Sequence, residues 1–296
     1  MKRRAGDLLG AHVSTQGGVA EAPARGAAIG ATAIQVFTKT PNQWREPVLT
    51  SAHVAAFRQA LAASGVRAVV AHDSYLINLA SPDDALRARS ALCFRGELTR
   101  CRALGIPWVV SHPGNYIDDR AAGLERNARE YAACLAAVPG DVGVLIEGTA
   151  GAGTALGASF EELAALRDAL PAEARARVAF CLDTAHVHAA GYDVAGDIGG
   201  VWEQFDRTIG LPLLNCLHLN DSKAAMGSHL DRHEWIGEGR IGPVAFRYIM
   251  RDQRFASVIK IIETPKADDP LYHDRRMLRR LRAYGRARTL SRSNRA

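Results

Sequence analysis

Short apolar runs rich in β-branched residues recur along the chain, with stretches of helical composition between them. The runs span residues 8–12, 33–37, 67–72, 108–112, 142–147, 178–183, 213–218 and 257–263. Helices are predicted between them, among others at 51–64, 83–104, 121–138, 159–170 and 243–251. Strands that are apolar at nearly every position are typical of a parallel sheet covered by helices. Eight such repeats predict an α/β fold, a single (β/α)8 TIM barrel.

A doubly wound open sheet is the alternative fold, because the glycine-rich segment 148–153 follows a predicted strand in the manner of a phosphate-binding loop. Its spacing is not GxGxxG, and it lies in the middle of the chain instead of the first strand–helix unit. The barrel is therefore preferred. The 296 residues divide into one barrel domain, 1–285, and a basic tail, 286–296, for which we expect disorder.

The composition is that of an ordinary globular protein, with 48% hydrophobic and 23% charged residues. No signal peptide or run of membrane-spanning length is found, so we expect a cytoplasmic protein that does not enter membranes. The five cysteines form no CxxC pair and are expected to be reduced core residues. The formal charge of +6 suits a polyanionic partner. A solvated basic helix at the end of the chain explains that charge equally well.

Six of the eight apolar runs end on a side chain that binds metals. These residues are His72, His112, Glu147, Asp183, His218 and Glu263. The carboxyl ends of the strands of a TIM barrel meet at one mouth, where such enzymes carry their chemistry. A single histidine at a strand end is more often structural than a ligand, but six such coincidences predict a shared site.

The carboxylates of this predicted site need compensating cations. Glu147, Asp183, Asp231 and Glu263 would repel one another at one mouth unless metal ions were bound between them. Imidazole mixed with carboxylate favours zinc, with manganese or iron as alternatives, over calcium or magnesium. The strand ends suffice for two ions, and His186, Asp231 and His233 are expected to complete a third site.

Seven longer motifs in the chain resemble one known family. They read GAHVS at 10–14, HDSYLINL at 72–79, CLDTAH at 181–186, AAGYD at 189–193, HLNDSK at 218–223, DRHE at 231–234 and GEG at 237–239. In this order they are similar to endonuclease IV, the metal-dependent apurinic/apyrimidinic endonucleases of DNA base-excision repair. The resemblance covers nearly the whole chain.

The resemblance implies three zinc ions and assigns their ligands. One ion is bound by His72, His112 and Glu147, the second by Glu147, Asp183, His218 and Glu263, and the third by His186, Asp231 and His233. Glu147 and Glu263 are the expected catalytic residues. The implied reaction is hydrolysis of the phosphodiester on the 5′ side of an abasic site in double-stranded DNA. A 3′-hydroxyl and a 5′-deoxyribose phosphate are the expected products, formed by a monomer with no organic cofactor.

The same resemblance points to three DNA-contacting residues. Tyr75 and Leu76 are expected to enter the minor groove and fill the gap left by the missing base. Asn42 stands about where family members place an arginine that enters the DNA. Other departures are Gly148 in place of an asparagine, Ala185 and His188 beside His186, and His229 near Asp231.

Two other functions compete with this interpretation. A sugar isomerase of the xylose isomerase type shares the barrel and a His/Glu/Asp metal site, but it has no use for a third ion. A DNA-binding protein that has lost catalysis is the second, and the complete set of predicted ligands argues against it. Zinc content measured alongside the nicking of an abasic duplex separates the three.

Overall fold

The computed structural model describes residues 7–286. The strands in this range are β1 (Leu9–His12), β2 (Ala33–Phe37), β3 (Ala68–His72), β4 (Trp108–Ser111), β5 (Gly143–Gly148), β6 (Val178–Asp183), β7 (Leu214–His218), β8 (Asp221–Ser222), β9 (His233–Glu234) and β10 (Ile259–Ile262). The α-helices are α1 (Ala22–Ala28), α2 (Ser51–Ser64), α3 (Asp84–Leu104), α4 (Arg120–Ala137), α5 (Phe160–Asp168), α6 (Ala172–Arg175), α7 (Thr184–Ala190), α8 (Ile198–Thr208), α9 (Pro243–Arg251) and α10 (Pro270–Gly285).

Eight parallel strands close into a barrel in the order β1-β10-β7-β6-β5-β4-β3-β2, which confirms the predicted fold. Because β1 pairs with both β10 and β2, an open doubly wound sheet is excluded. Gly10 allows this closure, since a Cβ at that position would lie 1.5 Å from the carbonyl oxygen of Ala33 on β2. The short strands β8 and β9 form a separate antiparallel pair at the mouth.

The alternation of side chains along the strands divides the barrel into a packed interior and a polar mouth. Its apolar interior consists of Ala33, Val70, Val110, Leu145, Ala179, Cys181, Cys216, Ile259 and Ile261. Two positions further along several strands stand the predicted metal ligands, because residues i and i+2 point to the same side of a strand. A larger apolar cluster lies between the barrel wall and the surrounding helices. The packed interior therefore forms a floor beneath the predicted site.

Local signals explain where the principal helices begin and end. Asp83 and Asp119 cap α3 and α4 by accepting hydrogen bonds from backbone N–H groups of the first turn. Gly65 and Gly105 end α2 and α3 in the left-handed conformation, with φ of 76° and 79°. The predicted boundaries of these helices agree with the structure to within one residue. The ends of α5 differ most, since the helix stops at Asp168 and not at residue 170.

The structure also bears on the expectations for the cysteines, for membrane-spanning helices and for the division into domains. All five cysteines are free and buried, as predicted. Within residues 7–286 no helix is long and apolar enough to cross a membrane. The division into a barrel domain, 1–285, and a tail, 286–296, stays a prediction, since positions 287–296 of the tail lie outside the described residues.

Candidate metal centre at the barrel mouth

Strand alternation and two loops bring all nine predicted ligands to the mouth of the barrel. His72, Glu147, Asp183 and His218 are the last or nearly last residues of their strands, while His112 and Glu263 directly follow β4 and β10. His186 lies in the first turn of α7, because Asp183 caps this helix with its own carboxylate. Asp231 and His233 return to the mouth at the start of β9.

Glu147 lies at the centre of this cluster and directs its two carboxylate oxygens to different histidines. Its Oε2 is 3.1 Å from His72 Nε2 and 3.3 Å from His112 Nε2. Its Oε1 is 2.9 Å from His218 Nδ1 and 3.5 Å from His186 Nδ1. A carboxylate that faces two histidine groups in this way is arranged to bridge two ions.

The second group of donors surrounds His218. Besides Glu147, its Nδ1 faces Glu263 Oε2 at 3.4 Å and Asp183 Oδ2 at 3.9 Å. His218, Asp183 and Glu147 are buried, which leaves their charges largely unscreened by water. Three carboxylates around one imidazole nitrogen are the donor set expected for the second ion.

The third group joins α7 to the loop before β9. Asp231 places Oδ2 3.2 Å from His186 Nε2 and Oδ1 3.1 Å from His233 Nε2. His233 Nε2 also lies 3.3 Å from Asp183 Oδ2, yet neither of its two contacts has hydrogen-bond geometry. His233 Nε2 therefore faces two carboxylate oxygens without a hydrogen bond, which fits an ion held between these atoms. Asp183 stands between the second and third groups.

The electrostatics of the mouth favour added positive charge. Burial alone would lower the pKa of His72, but the hydrogen bond and charge of Glu147 raise it to about 9. The pKa of His186 is raised to about 10 against the effect of burial, chiefly by the charge of Asp183 and the hydrogen bond of Asp231. Burial would raise the pKa of Glu147, but the neighbouring imidazoles hold it well below its ordinary value. Such a field, with nitrogen and oxygen donors, fits divalent transition metals.

Two amide side chains that the sequence analysis missed hold the ligands in place. Gln35 on β2 is buried, accepts a hydrogen bond from His218 Nε2 at 2.7 Å and donates one to Glu263 Oε1 at 2.6 Å. Asn220 donates to Asp183 Oδ2 at 2.6 Å and accepts from the backbone N–H of Glu263 at 2.8 Å. The one available signal was a polar glutamine in the otherwise apolar β2 run.

Two further histidines at the mouth have roles that their spacing did not reveal. His12, which ends β1, places Nδ1 3.2 Å from Glu263 Oε1 and so stands beside the ligands. His229 has a φ of 56° and its Nδ1 lies 2.9 Å from the carbonyl oxygen of Ala150, so that it fastens the loop before Asp231. His188 is buried, and neither of its ring nitrogens has a hydrogen-bond partner. We have no physical account of that position.

The departure at Gly148 does not leave His186 unsupported. The carbonyl oxygen of Gly148 accepts a hydrogen bond from His186 Nδ1 at 2.9 Å, so the backbone supplies the contact whatever the side chain. A Cβ at this position would lie 2.9 Å from Leu182 Cδ2, and a larger residue therefore requires Leu182 to move. The glycine and Leu182 fit each other in this chain.

A cavity of about 890 Å³ opens above the ligands and contains part of the predicted DNA-contacting set. Tyr75 lines it and is 68% exposed, with its ring 5.2 Å from that of Phe37 and 6.2 Å from that of His72. Leu76 is half-buried and does not line the cavity, and Asn42 lies exposed in the loop 38–50 outside it. The cavity walls are formed by the loops that follow β1, β2, β3 and β10.

Comparisons with known proteins agree with this geometry. The sequence profile of the family described as "Xylose isomerase-like TIM barrel" matches residues 23–281. The chain is 46% identical over 289 residues to a protein named "Probable endonuclease 4" from Geobacter sulfurreducens, covering 96% of both chains. A second protein of that name, from Chloroflexus aurantiacus, is 44% identical and covers 93% of this chain and 97% of its own.

Solved structures give the same result. The crystal structure of endonuclease IV from Thermus thermophilus superimposes with a TM-score of 0.82 at 37% identity, covering 94% of this chain and 98% of that chain. A structure titled D-psicose 3-epimerase, at 18% identity and a TM-score of 0.62, shares the fold alone.

Fold and site together define a xylose isomerase-like TIM barrel with clustered metal-binding side chains at its mouth. Within that class the chain belongs to the endonuclease IV family.

Proposed function

We propose that the protein is a metal-dependent AP endonuclease that hydrolyses the phosphodiester on the 5′ side of an abasic site in double-stranded DNA. The products are a 3′-hydroxyl and a 5′-deoxyribose phosphate. The observation that carries the proposal is the convergence of nine donor residues into three adjoining groups at the barrel mouth, where six of the nine line one cavity. Identity above 40% to proteins named endonuclease 4 supports it.

We assign three zinc ions to the site, with manganese or iron as alternatives. His72, His112 and Glu147 hold the first, Glu147, Asp183, His218 and Glu263 the second, and His186, Asp231 and His233 the third. When bound, such ions make water a nucleophile at neutral pH and neutralise charge on the attacking and departing oxygens of a phosphate.

The chain itself supplies spacing and orientation. Glu147 fixes the separation of the first two sites, because each of its oxygens belongs to one of them. Glu263 is held by Gln35 and by the backbone contact to Asn220, which aims its second oxygen at His218. These two glutamates are the proposed catalytic residues.

DNA contact is assigned to the rim of the mouth. Tyr75 stands upright beside the ligand His72 and presents its ring to the cavity, where it is placed to occupy the gap of a missing base. The half-buried Leu76 is assigned to the same wedge, and the exposed Asn42 is assigned to hydrogen bonds with the DNA backbone or a base edge. We propose that the active form is a cytoplasmic monomer.

The test is cleavage of a duplex with a single abasic site by protein whose metal content has been measured. We expect incision 5′ to the lesion, a 3′ end that a polymerase extends, and loss of both activity and the bridged metals in Glu147→Ala. A product ending in an unsaturated aldehyde identifies a lyase and refutes the proposal. Epimerisation or isomerisation of a ketose without any cutting of DNA would instead support the sugar-isomerase alternative.

A further inference from the structure

Three arginines lie on one side of the last helix, α10, and a fourth directly follows the helix. Arg275, Arg279, Arg282 and Arg286 are spaced by four, three and four residues, which places them on the same side of a helix. We call them the α10 arginine face. In the part of the chain that the structure describes, none of the four forms an ion pair with a carboxylate. Arg275 and Arg282 donate to the backbone carbonyls of Ala28 and Gly30 instead.

The acids near α10 already have other partners, and Asp269 caps the first turn of the helix. Glu238 forms ion pairs with both Arg276 and Arg280, on another side of the helix. Asp274, the single acid within α10, lies 2.6 Å from Lys266 Nζ. Asp7 is close enough for its charge to act on Arg282, but it lies 3.9 Å from Lys260 Nζ and forms no ion pair with the arginine. The positive charge of the α10 arginine face is therefore not neutralised by ion pairs.

The surfaces on both sides of the face suit a polyanion. Toward α1 the exposed residues are Ala27, Ala28 and Gly30, which carry no charge and little bulk. Toward α9, Arg251 Nε donates to the carbonyl of Tyr284 at 2.8 Å, and Arg247 lies 5.0 Å from the ring of Tyr284. Neither of these two arginines forms an ion pair with a carboxylate of the described range. Beyond residue 286 the sequence adds Arg288, Arg292 and Arg295.

Stabilisation of the helix explains only part of this pattern. Cations in the last turn interact favourably with the negative end of the helix dipole, which accounts for Arg282 and Arg286. The effect falls off within one turn, so Arg275 and Arg279 lie beyond it. The exposed Arg279, with its side chain in solvent between two other arginines, contributes little to packing.

The face lies on the outer wall and not at the mouth. α10 begins just after β10 at the mouth and spans about 24 Å along the wall toward the opposite end of the barrel. DNA is stiff over about 150 base pairs, so a duplex seated on the metal ligands does not fold back along this wall without a large bending energy. Any duplex bound by the face is consequently a different segment.

We propose that the α10 arginine face binds the phosphate backbone of a second DNA duplex, without sequence preference. Arginine is suited to this partner because its planar fork binds phosphate oxygens in pairs. The inference rests on the proposed function in taking DNA as the substrate. Its consequence is that the enzyme holds a second segment while the first is searched, and so passes between segments without leaving DNA.

The test introduces an acid into the face without removing an arginine. Ala283 is exposed and lies four residues after Arg279 and three before Arg286, so Ala283→Glu pairs with both. Holoenzyme is mixed with an immobilised duplex and a fluorescent duplex, both undamaged, and capture of the second is measured. We expect Ala283→Glu to reduce capture by about tenfold and the salt slope of capture by about two.

Two control variants distinguish an effect on the α10 arginine face from an effect of net charge and from an effect of any substitution at position 283. Ala136→Glu makes the same change at an exposed position in the last turn of α4, and Ala283→Gln keeps the position without the charge. Both should capture the second duplex like the unmodified enzyme. All three variants should cut a short abasic duplex at the single-turnover rate of the unmodified enzyme. If the proposed function is wrong, no 5′ incision is seen with any of the proteins, and this result is distinct from a loss of capture.

Three outcomes overturn the inference. The first is that Ala283→Glu and Ala283→Gln capture the second duplex equally well. The second is that Ala136→Glu loses as much capture as Ala283→Glu, which would reflect net charge alone. The third is capture of labelled polyglutamate without capture of a second duplex, which would assign the face to an acidic protein. Should Ala283→Glu fold poorly, the double variant Arg279→Gln with Arg286→Gln replaces it, with Arg276→Gln as its control.

Discussion

Gln35 on β2 connects His218, which ends β7, with Glu263, which follows the neighbouring strand β10; both are proposed metal ligands. Its amide oxygen accepts from His218 and its amide nitrogen donates to Glu263, so the two groups are satisfied in one orientation only. The hydrogen bond to His218 Nε2 leaves Nδ1 to face the carboxylates. A partner that fixes the tautomer of a ligating histidine typically strengthens metal binding.

Replacing Gln35 by leucine should therefore weaken the second metal site. Leucine has a similar size but neither donor nor acceptor, and we expect a loss of about 10- to 100-fold in metal affinity or cutting rate. The measurement is metal content by mass spectrometry together with incision of an abasic duplex. Unchanged metal content and rate would show that Gln35 is only a buried packing residue.

The convergence of the proposed ligands at one mouth was predictable from the sequence, whereas the residues that orient them were not. Each of the six strand-end ligands follows an apolar run, and a closed barrel brings all such ends together. Gln35 and Asn220 make contacts to residues distant in the chain, up to Glu263, and nothing in their own segments specifies these partners. The contact of Gly148 with His186 depends on a backbone carbonyl, which every residue possesses.

At the scale of elements, the loop after β3 presents Tyr75 to the cavity. The ring packs edge-on against Phe37 and beside His72, which holds it upright without burying it. The structure has a turn there, and α3 begins only at Asp84.

Changing Tyr75 and Leu76 together to alanine should weaken binding to an abasic duplex more than binding to an undamaged duplex of the same sequence. The lost wedge no longer fills the gap at the lesion, while the backbone contacts are unchanged. Equilibrium binding to both duplexes measures the difference, with metal content as a check. An equal loss on both duplexes, or a large fall in melting temperature, would place the pair in the core.

The loop 38–50 lacks regular structure and is held in place by a cluster of charged side chains. No local sequence pattern predicted this cluster. Glu46 accepts hydrogen bonds from Lys39 Nζ at 2.6 Å and from Arg100 on α3. Lys39 is buried, and its further contact is Cys93 Sγ at 3.2 Å. Arg100 also pairs with Glu97 Oε2 at 2.9 Å. The path of the loop that carries Asn42 therefore depends on contacts some 50 residues away.

Glu46→Ala should destabilise the fold by about 1–2 kcal/mol, because it leaves the buried Lys39 without its carboxylate, although the exposed part of Glu46 is screened by solvent. Burial would raise the pKa of Glu46, but the hydrogen bonds from Lys39 and Arg100 lower it below 4.5. Its contribution is therefore present above that pH and is lost as the pH falls through the folded-state pKa. Denaturant unfolding at neutral and acid pH measures both effects.

The matched control for this prediction is Glu125→Ala, which removes an exposed acid of α4 and should change stability by no more than about 0.5 kcal/mol. Equal free energies of unfolding of the two variants at neutral pH would mean that the charged cluster around Glu46 does not stabilise the fold. A loss of stability that grows as the pH falls would contradict the assigned sign, since the contribution removed by Glu46→Ala is smallest in acid.

On the scale of the whole molecule, the proposed ligands from β3, β5, β6, β7 and the segments after β4 and β10 converge on one site. Buried carboxylates repel one another when no ion lies between them. Removing the metals with a chelator should therefore lower the melting temperature on the order of 10 °C, in the range that tight binding to the folded state provides.

Calorimetry with chelator and with metal-saturated chelator measures this shift. Glu147→Gln weakens the proposed bridging ligand. Its melting temperature should be lower than that of the unmodified protein before chelation, and chelation should lower it by a smaller amount. Identical melting temperatures with and without chelator would show that the ions contribute nothing to the stability of the barrel.

The pairing of β1 with β10 also has a consequence for the timing of synthesis. The first strand of the barrel, β1, pairs with the last strand, β10, so this pairing forms only after β10 has been synthesised. Glu263 directly follows β10. A growing chain thus has neither a closed sheet nor a complete set of donors until nearly all of it has left the ribosome. A chain that ends before β10 therefore lacks both the closed sheet and Glu263, the last of the nine donors along the sequence.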